Sequence, residues 1–170
     1  MTTTRTIRML TRYKAWANDL IFSAVSELPY EEAIKQRNTR FGNIVHTLNH
    51  VYVIDDVFQA HLQGREHGYT ARNTREHPPL DELWRAVQTL DQWYIDYADG
   101  LSAEDLERPI HFNFIGGGEG VMTRNEMILH VVNHGTYHRG FVSTLMFEAG
   151  VSLASNDLPV FLRDVPQIPA

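Results

Sequence analysis

Three histidines, at positions 130, 134 and 138, recur at four-residue intervals in HVVNHGTYHRG. In a helix turning roughly 100° per residue, each is rotated about 40° from the one before, so the three share one side. The apolar positions Met127, Val131, Val142, Leu145 and Ala149 define the inward stripe of such a helix. His134 and His138 fall inside that stripe, whereas His130 sits at its edge, roughly 100° from its centre. Imidazoles one turn apart can share a metal ion, because a helix sets i and i+4 side chains alongside each other. A third ligand must then come from another segment, and NIVHTLNHVY offers His46 and His50, again four apart. Spacing does not choose between them.

A plainer reading stands beside this one. A histidine on an apolar face is usually a core residue satisfied by a hydrogen bond. Two buried rings present four nitrogens, however, and each one left unpaired costs about 1–3 kcal/mol. A metal would satisfy one nitrogen on each ring and fix its tautomer. On spacing alone both readings remain.

The elements that must position these rings are helical. Ile7, Leu10, Tyr13, Ala17, Leu20, Ile21, Ala24, Val25 and Leu28 follow three- and four-residue spacing, and Pro29 ends that helix. After the polar stretch EEAIKQRNTR, a second helix is expected to start near Phe41, with Ile44, Val45, Leu48, Val51, Tyr52, Phe58 and Leu62 inward. Gly64 and the polar run to His77 form a loop. Pro78 and Pro79 suit the start of a third helix carrying Leu80, Leu83, Trp84, Val87, Leu90, Tyr94 and Tyr97, which Gly100 closes. Between Arg108 and Met122, the alternation in IHFNF and the GGGEG turn predict a small β-hairpin or ordered loop. Thr123 and Glu126 form a capping box for the fourth helix, which runs to about Ala149 with Gly150 as its stop. Ser155–Arg163 adds a short C-terminal helical segment. The expected fold is all-α: an up-down four-helix bundle over a single domain, 1–170, with its long crossover between helices three and four.

Composition narrows the function. A net charge of -6 with 15 Lys plus Arg gives no basic patch for phosphate, so no nucleic-acid partner is expected. The absence of cysteine excludes disulfides, thiolate ligands and a nucleophilic Cys, so any thiol chemistry needs an external thiol. Arg5, Arg8 and Arg12 interrupt the apolar run that a signal peptide needs, and no stretch approaches the roughly 20 apolar residues of a membrane span. The expectation is a cytoplasmic protein with no membrane partner.

The motifs together resemble the DinB/YfiT family of metal-binding four-helix bundles, named for damage-inducible expression. RYKAWAND in the first helix is similar to the family's Y-N-x-W-A-N, with Lys14 at the usual Asn. TLNH followed five residues later by Asp55 resembles the second-helix signature, HVVNHGTYHRG resembles N-H-x-x-x-H-R-G, and NDLPVFLR resembles the C-terminal segment. The resemblance implies that the ligands are His50, His134 and His138, with His46 and His130 as neighbours. It also implies a homodimer. Phe141 and Tyr137 depart from the Gln and His that the family commonly has there, which removes any polar contact those positions would carry.

Three neutral imidazoles imply one divalent transition metal per chain, with zinc or nickel the leading candidates and iron another. Three protein ligands with an open position are the catalytic arrangement, whereas structural zinc closes with four. The resemblance therefore implies a metal-dependent enzyme on an unknown small-molecule substrate, either a thiol S-transferase using an external low-molecular-weight thiol or a hydrolase. The competing readings are a non-catalytic metal- or ligand-binding, stress-sensing dimeric module, and a scaffold whose histidines merely pack. No general acid or base is assigned. Asp55, five residues beyond His50, is expected to find an N–H or Arg partner inside the bundle, with a supporting role behind the ligands as the alternative. Asp91 is similarly ambiguous. Tyr13, Tyr52 and Tyr94, like Trp16, Trp84 and Trp93, are expected to pack. Glu31, Glu32, Glu104 and Asp105 are solvated surface, Asn49 and Asn133 are polar packing between helices, and Gly135 and Gly140 permit close helix approach.

Overall fold

The computed structural model describes residues 3–166. Four long helices, α1 (Thr3–Ser26), α3 (Ile44–Gln63), α4 (Leu80–Gly100) and α6 (Arg124–Glu148), form the bundle. Short helices α2 (Tyr30–Ile34) and α5 (Ala103–Leu106) lie in connections, and α7 (Leu158–Asp164) follows the bundle. Strands β1 (Pro109–Asn113) and β2 (Glu119–Thr123) make the expected antiparallel hairpin, with Pro109 opposite Thr123 and Asn113 opposite Glu119. Its turn runs through Gly116, Gly117 and Gly118, all at positive φ, a conformation that only glycine adopts cheaply. No helix among the described residues is long and apolar enough to cross a membrane.

Local chemistry sets the boundaries. Asn43 caps α3 by accepting from the His46 amide at 2.7 Å, which moves the start three residues past Phe41, to Ile44. Gly64, at φ 67°, ends α3 in the left-handed conformation. The Thr123–Glu126 capping box is present in both directions, so α6 starts where the sequence places it.

Helix α1 packs on α4 and α6, and α3 packs on the same two. Ion pairs and ring contacts give the directions. Arg12 near the start of α1 meets Asp99 near the end of α4, so those helices are antiparallel. On α3 and α6, Phe58 lies against His130 while His50 lies against His138, again antiparallel. One apolar cluster joins Ile7, Phe58, Tyr94 and Met127, and a second joins Phe22, Leu48, Val87 and Leu145. From the first cluster to the second, residue numbers therefore rise along α1 and α6 and fall along α3 and α4. Strict up-down alternation accordingly gives way between α3 and α4, which run parallel, and residues 64–79 return along the bundle as a strap.

Between the two apolar clusters lies a polar layer. The Lys14 ammonium, only 1% exposed, is paired with Asp55 at 2.8 Å and with Asp91. Asn18 donates to the other Asp91 oxygen at 2.8 Å and accepts from the buried Arg139 guanidinium at 3.1 Å. Tyr94 donates to the Asp55 carbonyl at 2.7 Å. Burial works against the Lys14 charge, but the two carboxylates outweigh it and hold the ammonium pKa above its ordinary value. Burial likewise pushes the Asp55 carboxyl up to about 6, so it remains largely ionised at neutral pH. Thus Asp55 and Asp91 share one lysine rather than an arginine, and Asp91 also accepts the Asn18 N–H.

Removing one member of a buried charge cluster leaves the others uncompensated. Lys14→Met is expected to lower unfolding free energy by about 3–5 kcal/mol in urea titrations. The triple change Lys14→Met, Asp55→Leu, Asp91→Leu should recover most of that loss, since apolar replacements of buried ion pairs are often neutral. A single variant within about 1 kcal/mol of the parent would contradict the cluster's role.

Candidate metal centre

The seam where α3 meets α6 carries the histidines beside the polar layer. His50 and His138 are buried and His134 is half-buried; one ring nitrogen from each can be chosen so that all three lie within 4.8 Å of one another. Nε2 of His50 and Nε2 of His134 are 3.2 Å apart. Tetrahedral donors on bonds of 2.0–2.1 Å stand roughly 3.3 Å apart, so this pair already has the spacing of two ligands. An N–H···N hydrogen bond would also satisfy that pair, but it leaves His138 unexplained.

The tautomers follow from the surroundings. Nδ1 of His50 faces the Arg72 carbonyl at 2.8 Å, where it must donate, leaving Nε2 as a lone pair. Nδ1 of His134 and of His138 is buried without a hydrogen-bond partner, the kind of orphan that a further bound species would explain. Burial, reinforced by the charges of His138 and His50, draws the His134 pKa down to about 3. Burial with His50 and Arg40 draws His138 to about 4, and burial lowers His50 as well. All three rings are therefore neutral at pH 7, the form that ligates metal.

The remaining histidines fall outside this group. His130 is half-buried with its ring 4.5 Å from that of Phe58, and it stacks on His134 at 5.5 Å without joining the cluster. His46, the alternative on α3, turns its Nε2 to the Thr74 carbonyl at 3.3 Å.

Connections complete the site. The Phe41 ring stacks on His50 at 4.4 Å and meets His138 edge-on at 5.4 Å. Arg40, Phe41, Arg72, Asn73, Tyr137 and Phe141 line the cavity that opens over His50 and His138, about 520 Å³ in volume. None of the segment residues among these was singled out from the sequence, although Phe41 was placed at the start of its helix. Asn49 binds the strap rather than another helix: its Oδ1 accepts from the Thr74 amide at 3.2 Å and the Thr74 hydroxyl at 2.9 Å. Asn133 faces solvent, so it does no packing between helices. Gly140 has open space where a Cβ would stand, whereas a Cβ on Gly135 would meet Arg139 Nη1 at 3.1 Å and Lys14 Cε at 3.8 Å. Of the two, Gly135 makes room, and it does so for the Arg139 guanidinium. Trp16, Trp84 and Trp93 pack on Phe161, Phe22 and Tyr97 respectively, away from the cavity.

Comparison with known proteins agrees with this architecture. The DinB family model matches residues 1–167. Protein DinB of Bacillus subtilis strain 168 is 30% identical over 159 residues, covering 90% of this chain and 91% of that protein. The crystal structure of a DinB-like protein from Bacillus cereus ATCC 10987 superimposes with a TM-score of 0.62 at 15% identity, covering 82% of this chain and 89% of that one. The last of these speaks to the fold alone.

The strap hangs on few bonds, and Asn49 supplies two of them. Asn49→Ala is expected to speed tryptic cleavage at Arg72 and Arg75 by roughly tenfold, the equivalent of about 1.4 kcal/mol of local opening. Unchanged cleavage alongside an unchanged melting temperature would show that the strap is held elsewhere.

Proposed function

The chain belongs to the DinB family, and from that premise we propose that it is a metal-dependent enzyme, a thiol S-transferase or a hydrolase acting on a small molecule. It holds one divalent transition metal through His50, His134 and His138. The observation that carries this reading is the convergence of three neutral ring nitrogens from two antiparallel helices.

Three imidazoles with no fourth His, Asp or Glu donor among the described residues match a centre that keeps a position open for water or substrate. Imidazole ligands suit zinc and nickel, with iron in the same donor class. When bound, such an ion would supply a Lewis acid that polarises a carbonyl or lowers the pKa of a water or thiol. The protein's own contributions are positional. The Arg72 carbonyl fixes the His50 tautomer. Phe41 covers one face of His50 and meets His138 edge-on, which limits water there. Asp55 is held by Lys14 and serves the bundle, so no base is assigned to it. A chain without cysteine leaves a thiol to be supplied from outside.

Metal analysis of protein purified without a His tag should find about one equivalent per chain, and His50→Ala or His134→Ala should lose it. His130→Ala should keep it. Unchanged content in both triad variants would refute the centre. Turnover should then appear when reduced thiols are screened with electrophiles, or activated esters alone, and should require added metal. Activity that persists equally in the triad variants would refute metal catalysis, and metal binding without turnover would favour a binding module.

A further inference from the structure

The cavity over the histidines has a charge that the rest of the chain does not. Acidic residues outnumber Lys plus Arg by 21 to 15, yet no acidic residue lines this cavity and two arginines do, both close enough for their charges to lower the His50 pKa. Several other arginines are neutralised, Arg12 by Asp99, Arg37 by Glu32, Arg65 by Asp56 and Arg85 by Asp81, although exposed Arg75 also forms no ion pair among the described residues. Arg40 and Arg72 are exposed and, among the described residues, neither forms an ion pair. Both sit on backbone that touches the site: the Arg72 carbonyl accepts a hydrogen bond from His50 Nδ1, and Arg40 precedes the Phe41 ring stacked on His50.

Two like charges at one cavity mouth repel each other, and an anion placed between them removes that cost. Guanidinium forks match a carboxylate in two-point hydrogen bonding better than an ammonium would. The walls supplied by Phe41, Tyr137 and Phe141 suit the short apolar stem joining such an anion to a donor atom. A volume of about 520 Å³ holds a small molecule and not a polymer.

We propose that this cavity selects a small carboxylate-bearing ligand, whose carboxylate is received by Arg40 and Arg72 while its other end reaches the histidine cluster at His50 and His138. The assignment rests on the metal reading given above for the far end of the ligand. It places specificity in two residues of the connecting segments, outside the histidine cluster.

The test uses cobalt(II) as the metal and a pair of thiols differing in charge, 3-mercaptopropionate and 3-mercaptopropionamide. Cobalt uptake is read from its visible bands, and thiol binding from the sulfur-to-cobalt charge-transfer band. The carboxylate is expected to bind about tenfold tighter than the amide. Arg40→Gln/Arg72→Gln should reduce the preference to about unity with cobalt uptake unchanged, while Arg65→Gln should leave it intact. Equal affinities in the parent, a preference surviving the double variant, or no charge-transfer band with either thiol would overturn the proposal and leave the metal reading standing. Failure to take up cobalt would overturn both.

Discussion

One buried ammonium sets the register of this bundle. Lys14 finds its two carboxylates only when α1, α3 and α4 stand at a single relative height, since Asp55 and Asp91 come from different helices. Apolar ridges alone would tolerate a slip of one turn, because leucine and valine pack nearly as well against the next neighbour. A slip here would strand three charges in the interior at a cost no apolar contact offsets. Helix α6 joins the same layer through the Arg139–Asn18 hydrogen bond, and Gly135 leaves room for the Arg139 guanidinium. Those fixed heights bring His134 and His138 opposite His50.

The two halves of the polar layer then divide the work. On one side, paired charges hold the helices; on the other, three imidazoles gather with no counter-charge of their own, and two of them, His50 and His138, line the cavity. Burial and neighbouring positive charge keep these rings unprotonated, which preserves their lone pairs for a metal. Because α3 and α6 run antiparallel, a ligand on α3 meets a pair spaced one turn apart on α6, and the donors approach from both sides of the seam. The strap is part of the same construction. It supplies the carbonyl that orients His50 and carries Arg72 to the cavity mouth, so α3 and α4 running parallel has a consequence for the site: the return segment must pass the histidines.

Much of this was legible in the sequence because it follows from periodicity. The i,i+4 histidines, the inward stripe and the Thr123–Glu126 capping box depend on local helix geometry, and each lies where that geometry puts it. His130 could be set aside on the same basis. The choice of His50 over His46 needed the family resemblance, because both face inward and only the tertiary fold turns His46 to Thr74. Lys14 was visible only as an oddity in a motif. Two aspartates on inward stripes signal a buried cation, and a lysine on the inward face of α1 could have been matched to them. Arg40, Arg72 and the strap lay beyond reach, since loop position is set by contacts distant in sequence. Gly140 and Asn133 show the converse error: residue type suggested helix packing at positions that the bundle leaves in solvent.

The central claim is a centre of three imidazoles with room for one more ligand, and the X-ray absorption spectrum of the metal-loaded protein measures that most directly. The spectrum should fit three imidazole nitrogens at about 2.0–2.1 Å with one light oxygen or nitrogen donor completing the shell. The multiple-scattering pattern of histidine should fall to at most two rings in His50→Ala. A shell of oxygens alone, or a full parent spectrum in that variant, would contradict the account.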